Sequence, residues 1–245
     1  MKEPTQICRG FTDEQWKRLR KRLGGRDGQI YNDETAWGCA VDVFERRMRE
    51  RFLSCIEALE KADSQLEKEV APGAPAECST LPKDNGKRIV VPGFAVVALC
   101  CLLIETLQSF REAPEQPAQV VGPCSYPRGR CIRLPSSTRD LFIKFLQLPA
   151  FHGEFDDRKI AKRFVQGIRN GILHEAETRR WLIWRGEPQG RIVEPLGNRY
   201  ALNRTGFYRA LKTEFEKYLQ ELRDPAKQQQ RERFVKKMDD VVREC

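Results

Sequence analysis

The sequence is poor in the spacings on which metal centres are built. It holds nine cysteines, at positions 8, 39, 55, 78, 100, 101, 124, 131 and 245, without a single CxxC pair, and only two histidines, His152 and His174, stand beside them. Structural and catalytic zinc sites use closely spaced ligand pairs, so the reading assigns no metal and no cofactor. An odd number of cysteines behind an N-terminus, Met1-Lys2-Glu3-Pro4, that lacks the apolar stretch of a signal peptide fits reduced thiols in a cytoplasm. Several sit among apolar neighbours, where cysteine packs as a small core side chain. Long hydrophobic runs are missing too. The longest, Phe94 to Ile104, stops at Glu105 and falls short of the roughly 20 residues a bilayer demands, which predicts a buried helix and no membrane partner. No repeat at a fixed period is visible, which excludes solenoids and propellers.

Charge is what the chain has in excess. Its formal net charge is +9, with 32% charged and 40% hydrophobic residues in a length of 245. That composition describes an ordinary soluble protein able to bury a core, as one large domain or two small ones. A basic surface concentrates polyanions, so nucleic acid or an acidic protein is the expected partner, with solubility alone as the plainer explanation.

The punctuation along the chain predicts a mainly α fold: a helical bundle with a small β-hairpin inserted near residues 181–202. Thr12-Asp13-Glu14-Gln15 is a capping-box pattern opening a short basic helix to Leu23. A long helix begins near Asn32 or Asp33, with Val41, Phe44, Met48, Phe52, Cys55, Ile56 and Leu59 at spacings of three and four. Residues 71–88 and 113–135 carry clustered Pro and Gly and read as loops, the second made basic by Arg128, Arg130 and Arg133. Between them Pro92 suits the first turn of the apolar helix. Ser136 or Ser137 caps the next helix and Asp156 or Asp157 the one after, from Arg158 to about Ala176. Trp181–Trp184 and Arg191–Val193 read as the hairpin, with Tyr200-Ala201-Leu202 as a third short strand. Asn203 then caps a helix to Leu222, and Pro225 opens the last. Residues 1–90 form an N-terminal helical region of unknown role packed on the bundle, and 91–245 the helical domain with the hairpin.

The helix from Arg158 carries the chemistry. Ile160, Ala161, Phe164, Val165, Ile168, Ile172 and Ala176 form one apolar stripe at 3.6-residue spacing. Opposite fall Lys162, Arg163, Gln166, Arg169, Asn170, His174 and Glu177. Asn170 and His174 are four apart and neighbours on one face. In α-helical geometry Arg169 and His174 are about 140° apart around the axis and about 7.5 Å along it, a gap a long Arg side chain bridges. Gly167 and Gly171, each costing about 1 kcal/mol against Ala in a helix, suggest close approach by another group.

Metal-free RNA cleavage requires a base for the ribose 2′-hydroxyl or an acid for the leaving oxygen, and histidine serves as either near neutrality. It also requires fixed positive charge at the phosphorane oxygens, which Arg supplies with a bidentate fork. Asn170 suits orienting the imidazole or bonding the ribose. One helix supplies these groups sparsely, whereas a symmetric homodimer doubles them around one phosphate.

Arg169-Asn170-(three residues)-His174 resembles the Arg-polar-x-x-x-His signature of the HEPN superfamily, and Leu173-His174-Glu175-Ala176 with the Trp-rich strand after it is similar to prokaryotic members. The resemblance covers residues 90–222 in architecture and about 140–185 in sequence. It implies an all-helical bundle, a metal-independent RNA endonuclease of toxin or phage-defence type, and an active site at a dimer interface. Arg169 and His174 are then catalytic, with Asn170 supporting. It also implies an antitoxin or nucleotidyltransferase as a protein partner, and admits non-catalytic members that bind RNA or protein. Arg158, Lys162, Arg163, Arg179 and Arg180 are the expected nucleic-acid-binding residues.

Plainer readings stand beside these. His174 also suits a helix end, where a positive ring meets the dipole. His152 reads as a loop histidine. Trp181 and Trp184 serve either base stacking or, more readily, packing against a helix. Glu175 and Glu177 read as solvated charges or as acid partners to His174, with Glu177 the better candidate of the two. The clusters Lys17-Arg18-Arg20-Lys21-Arg22 and Arg46-Arg47-Arg49-Arg51 are solvated faces unless the fold aligns them with Arg158, Lys162 and Arg163.

Overall fold

In a computed structural model, residues 4–24, 30–69, 83–84, 87–88, 93–112 and 138–243 are described. The elements run β1 (Gln6–Cys8), β2 (Phe11–Thr12), α1 (Asp13–Leu23), α2 (Glu34–Met48), α3 (Ser54–Glu69), β3 (Lys83–Asp84), β4 (Lys87–Arg88), α4 (Gly93–Arg111), α5 (Thr138–Leu146), α6 (Arg158–Phe164), β5 (Trp181–Trp184), β6 (Val193–Leu196), β7 (Arg199–Asn203), α7 (Arg204–Arg223) and α8 (Gln228–Arg243). The fold is mainly α with small sheets. Pro92, Ser136, Ser137, the two Pro/Gly-rich loops and Cys78, Cys124, Cys131 and Cys245 lie outside the described residues.

The caps follow the local chemistry. The Thr12 side chain accepts from the Gln15 N–H while Gln15 Oε1 accepts from the Thr12 N–H at 2.8 Å, closing the capping box. Asp33, Asp157 and Asn203 cap α2, α6 and α7 through their side-chain oxygens. α2 and α3 form one long helix interrupted by a π-turn at Arg49–Leu53.

α4 is the central helix, packed against α3, α5, α7 and α8. It extends past the apolar run to 19 residues, long and apolar enough to span a bilayer by length and composition, yet more than half of it is buried inside the protein. Val96, Val97, Cys100, Cys101, Leu103, Ile104 and Leu107 are fully buried along it, the behaviour of a core helix.

Two aromatic clusters flank α4. In the first, Phe44 lies 4.7 Å from Phe110 and 5.4 Å from Phe234, while Trp16 and Trp37 meet the same Phe234 ring. This joins α1 and α2 to α4 and α8. In the second, Phe164 contacts Phe142, Phe155, Trp181 and Phe207. It fixes α6 against α5, α7 and the sheet. Each such pair contributes about 0.5–1.5 kcal/mol beyond the area it buries.

The expected hairpin pairing is corrected. Trp181–Trp184 does not pair with Arg191–Val193: the three-stranded sheet has the order β5-β7-β6, with β5 parallel to β7 and β6 antiparallel to it. The hairpin is β6–β7, turning through Gly197 at φ 58°. Asn203 accounts for the difference. Its Oδ1 accepts the N–H groups of Gly186 and Gly206, and its Nδ2 donates to the Glu187 carbonyl, so the Gly186–Gly190 loop is folded onto the start of α7. That loop therefore does not turn β5 back on itself.

Candidate active site

The helix that begins at α6 does not stay α-helical. After Phe164 it widens into two π segments, Val165–Arg169 and Gly171–Glu175, and ends where Ala176 adopts the left-handed conformation at φ 54°. The bonding pattern becomes i→i+5, so residues five apart stack one turn above the other. This corrects the α-helical geometry expected from the sequence: Arg169 and His174 share a face without a long reach between them. Ala161, Phe164, Val165, Ile168 and Ile172 remain buried as the stripe predicted, while Ala176, beyond the last turn, is exposed.

The arginine is held from two sides. Its Nε donates to Glu105 Oε1 of α4 at 2.5 Å. Its Nη1 donates to Asn170 Oδ1 at 2.9 Å and lies 3.3 Å from His174 Nε2. A guanidinium has no acceptor, so this last contact is a donation to an unprotonated Nε2, with the ring proton on Nδ1. The imidazole is exposed, whereas the Arg169 side chain keeps only 18% of its surface and Glu105 25%. The arrangement is a guanidinium fixed by Glu105 that itself occupies the acceptor nitrogen of an exposed imidazole.

Glu105 was missed by sequence reasoning. It stands 64 residues before Arg169, and its only local signal was that it broke the apolar run. Asn170 supports the arginine, not the imidazole: its oxygen accepts from Nη1. Among the described residues Glu177 is exposed and makes no hydrogen bond to His174, which fits its reading as a solvated charge. Glu175 is the carboxylate whose field includes His174, and it hydrogen-bonds Arg179, which holds its carboxyl below the ordinary value.

The two glycines have a different purpose from the one expected. A Cβ on Gly171 would run into the Glu177 carbonyl oxygen, and one on Gly167 would lie 2.6 Å from the Trp181 ring. The strip is filled by the chain's own return into β5, so it is not open to a ligand. The glycines let the exit segment fold back tightly on the π-turns.

The expected nucleic-acid-binding residues divide. Arg163, Arg179 and Arg180 line one cleft with Gln166, Trp181 and Tyr200. Arg158, at the start of α6, pairs with Asp140 at 3.5 Å, and neither it nor half-buried Lys162 lines that cleft. The N-terminal basic clusters are largely tied into structure: Arg20 bonds Asp239, Arg22 bonds Asp33, Arg47 donates to the Ile7 carbonyl and Arg49 to Glu45. His152 is exposed, 3.7 Å from Asp156. Trp181 packs against Phe164 in an edge-to-face contact, while Trp184 is 37% exposed.

Among the described residues no group of three or more His, Cys, Asp or Glu side chains could hold a metal ion. Cys8, Cys100 and Cys101 are buried free thiols, and burial raises all three above the ordinary value. Cys39 and Cys55 are free and exposed. In comparisons with known proteins, no family model, no curated protein and no solved structure matches the chain.

Proposed function

We propose that the protein is a metal-independent RNA endonuclease of HEPN type, acting through Arg169, Asn170 and His174 as a homodimer. The observation that carries the reading is the contact between Arg169 Nη1 and His174 Nε2 at 3.3 Å on an exposed helix face. Such a pair matches the demands of in-line phosphodiester cleavage. Once a bound phosphate draws Nη1 of Arg169 away from it, unprotonated Nε2 takes the proton of the ribose 2′-hydroxyl, and the 2′-oxygen attacks the adjacent phosphorus. The bond to the 5′-oxygen breaks, leaving a 2′,3′-cyclic phosphate and a 5′-hydroxyl once that oxygen gains a proton. Arg169 offsets the charge that grows on the non-bridging oxygens.

One histidine cannot be base and acid in the same turnover without changing state, which favours a second copy. α4 offers a face for it. Phe94 and Leu102, 36% and 39% exposed, lie with Ala98 on a stripe that leads to Glu105, the partner of Arg169. A two-fold contact along this stripe brings two Arg169–His174 pairs towards each other.

The test is cleavage of total RNA in EDTA by the wild type, His174→Ala and Arg169→Ala. Both variants are expected to lose activity, by about 10²–10⁴-fold for the base, with the melting temperature of His174→Ala unchanged because the ring is exposed. Activity that disappears on chelation, or variants that cleave normally, would refute the proposal. Stable, salt-dependent RNA binding without cleavage would favour a non-catalytic binding module instead.

A further inference from the structure

A cleft of about 450 Å³ opens beside the helix that carries Arg169 and His174. Arg163, Gln166 and Gly167 line it from the helix; Arg180, Trp181, Asn198 and Tyr200 line it from the sheet side. Among the described residues no acidic side chain lines it. The volume is that of a small-ligand site.

Its chemistry is narrower than its size. Trp181 stacks on Tyr200 with ring centroids 4.9 Å apart at 26°, and the Arg163 guanidinium lies 5.7 Å from the Tyr200 ring centre. Trp181 is only 7% exposed, and the edge of its indole that carries the N–H faces Gly167. Trp16 and Trp37 donate their indole N–H groups to Asp239 and to the Tyr31 carbonyl. Trp181 has no such acceptor among the described residues. Its N–H is not among the buried polar atoms left without a partner, so it reaches solvent at the wall of the cationic cleft, as a donor open to an acceptor on a ligand.

Arg179 is already paired with Glu175, but the Arg180 side chain is exposed and carries no ion pair among the described residues. Gln166 and Asn198 each add an amide that both donates and accepts, the equipment for reading a base edge. An acidic peptide would use the arginines but neither the aromatic wall nor the paired amides. A nucleotide uses all of them.

We infer that this cleft holds one nucleotide of an RNA strand, with its base against Trp181 and Tyr200 and its phosphate on Arg180. It lies next to the phosphodiester presented to Arg169 and His174. The inference rests on the RNA-facing reading of this helix for its ligand, and deepens it by assigning a base-binding subsite.

Binding is best measured without cleavage, by fluorescence anisotropy of the full chain with labelled 2′-O-methyl oligonucleotides, whose blocked 2′-oxygen cannot attack. Arg180→Glu is expected to weaken binding about 10-fold or more and to flatten its salt dependence, with Arg180→Lys staying close to wild type. Gln166→Ala and Asn198→Ala should change the order of preference among homopolymers without changing the salt slope. AMP and inorganic phosphate serve as competitors. Arg180→Glu and Gln166→Ala both binding within about two-fold of wild type would overturn the subsite. So would wild type that binds no oligonucleotide, or AMP that displaces the strand at equal concentration, which would assign the cleft to a free nucleotide. A His174→Ala variant that still cuts RNA, alongside loss of binding in Arg180→Glu, would defeat the cleavage reading and uphold this one.

Discussion

Arg204 and Arg169 are each held by a carboxylate from a neighbouring helix, and they end in opposite states. Arg204, the first residue of α7, donates through Nε to Glu60 at 2.9 Å and through Nη2 to Asp63, and its side chain is 1% exposed. Gly93 seals it in, since a Cβ there would lie 2.5 Å from Nη1. Arg169 has one carboxylate at Nε, then an amide and an imidazole at Nη1 on a face open to solvent. The first arrangement neutralises a buried charge and fixes α3 against α7. In the second, one carboxylate aligns the guanidinium and leaves its other edge beside a neutral base. The number of carboxylates and the exposure of the far edge separate an arginine that holds a fold together from one free to meet an anion.

Breaking the buried cluster should have the largest effect. Arg204→Ala removes the arginine paired with buried Asp63, while Glu60 keeps Arg185 at 3.8 Å, and is expected to cost about 3–5 kcal/mol, read as a shifted midpoint in chemical denaturation with RNA cleavage tracking only the folded fraction. Glu105→Gln sharpens the other side. Nε keeps a hydrogen-bond acceptor but loses its countercharge and alignment, and cleavage should fall about 100-fold, the scale of a misplacement near 1 Å, at near-constant stability. An equal loss of stability and activity would place Arg169 in the same class as Arg204. Gly171→Ala forces the β-carbon against the Glu177 carbonyl and should destabilise by about 1–3 kcal/mol, with activity lost in the same preparation because the exit segment shifts His174. Glu175→Gln tests the smallest effect. The Arg179 hydrogen bond holds the Glu175 carboxyl below its ordinary value. Its contribution is therefore present above the unfolded pKa of about 4.3 and is lost as pH falls through the lowered folded value. The wild type and Glu175→Gln should differ slightly in melting temperature at pH 7 and converge near pH 3; convergence on raising the pH would contradict the pairing.

Much of this comparison was invisible in the chain alone. The apolar stripe around Phe164 and Ile168 and the Asn203 cap are readable because helix periodicity and capping are local. The Arg169–Asn170–His174 grouping was found for the same reason, although its assumed α geometry was wrong. Two π segments are a register change that no periodic pattern of apolar residues announces, since the buried stripe survives the widening. Glu105 and Glu60 come from helices 64 and 144 residues away from their arginines, and nothing in the local sequence selects them from the other carboxylates. The glycines were marked as places of close approach, which they are, but only packing reveals that the approaching group is the chain's own β5.

By itself, then, the sequence determined a mainly α protein with a small strand region near its C-terminal third, the caps at Thr12, Asp33, Asp157 and Asn203, and which short segment is worth mutating, although the last helix starts at Gln228 and not at Pro225. Those features follow from hydrogen bonds and side-chain spacing within a few residues. Tertiary structure alone decided that β5 pairs with β7 in parallel, that Arg204 is buried and Arg169 is not, and that Trp181, Tyr200 and Arg180 meet around one cleft. Each depends on contacts between distant segments, whose selection is governed by how the whole core closes.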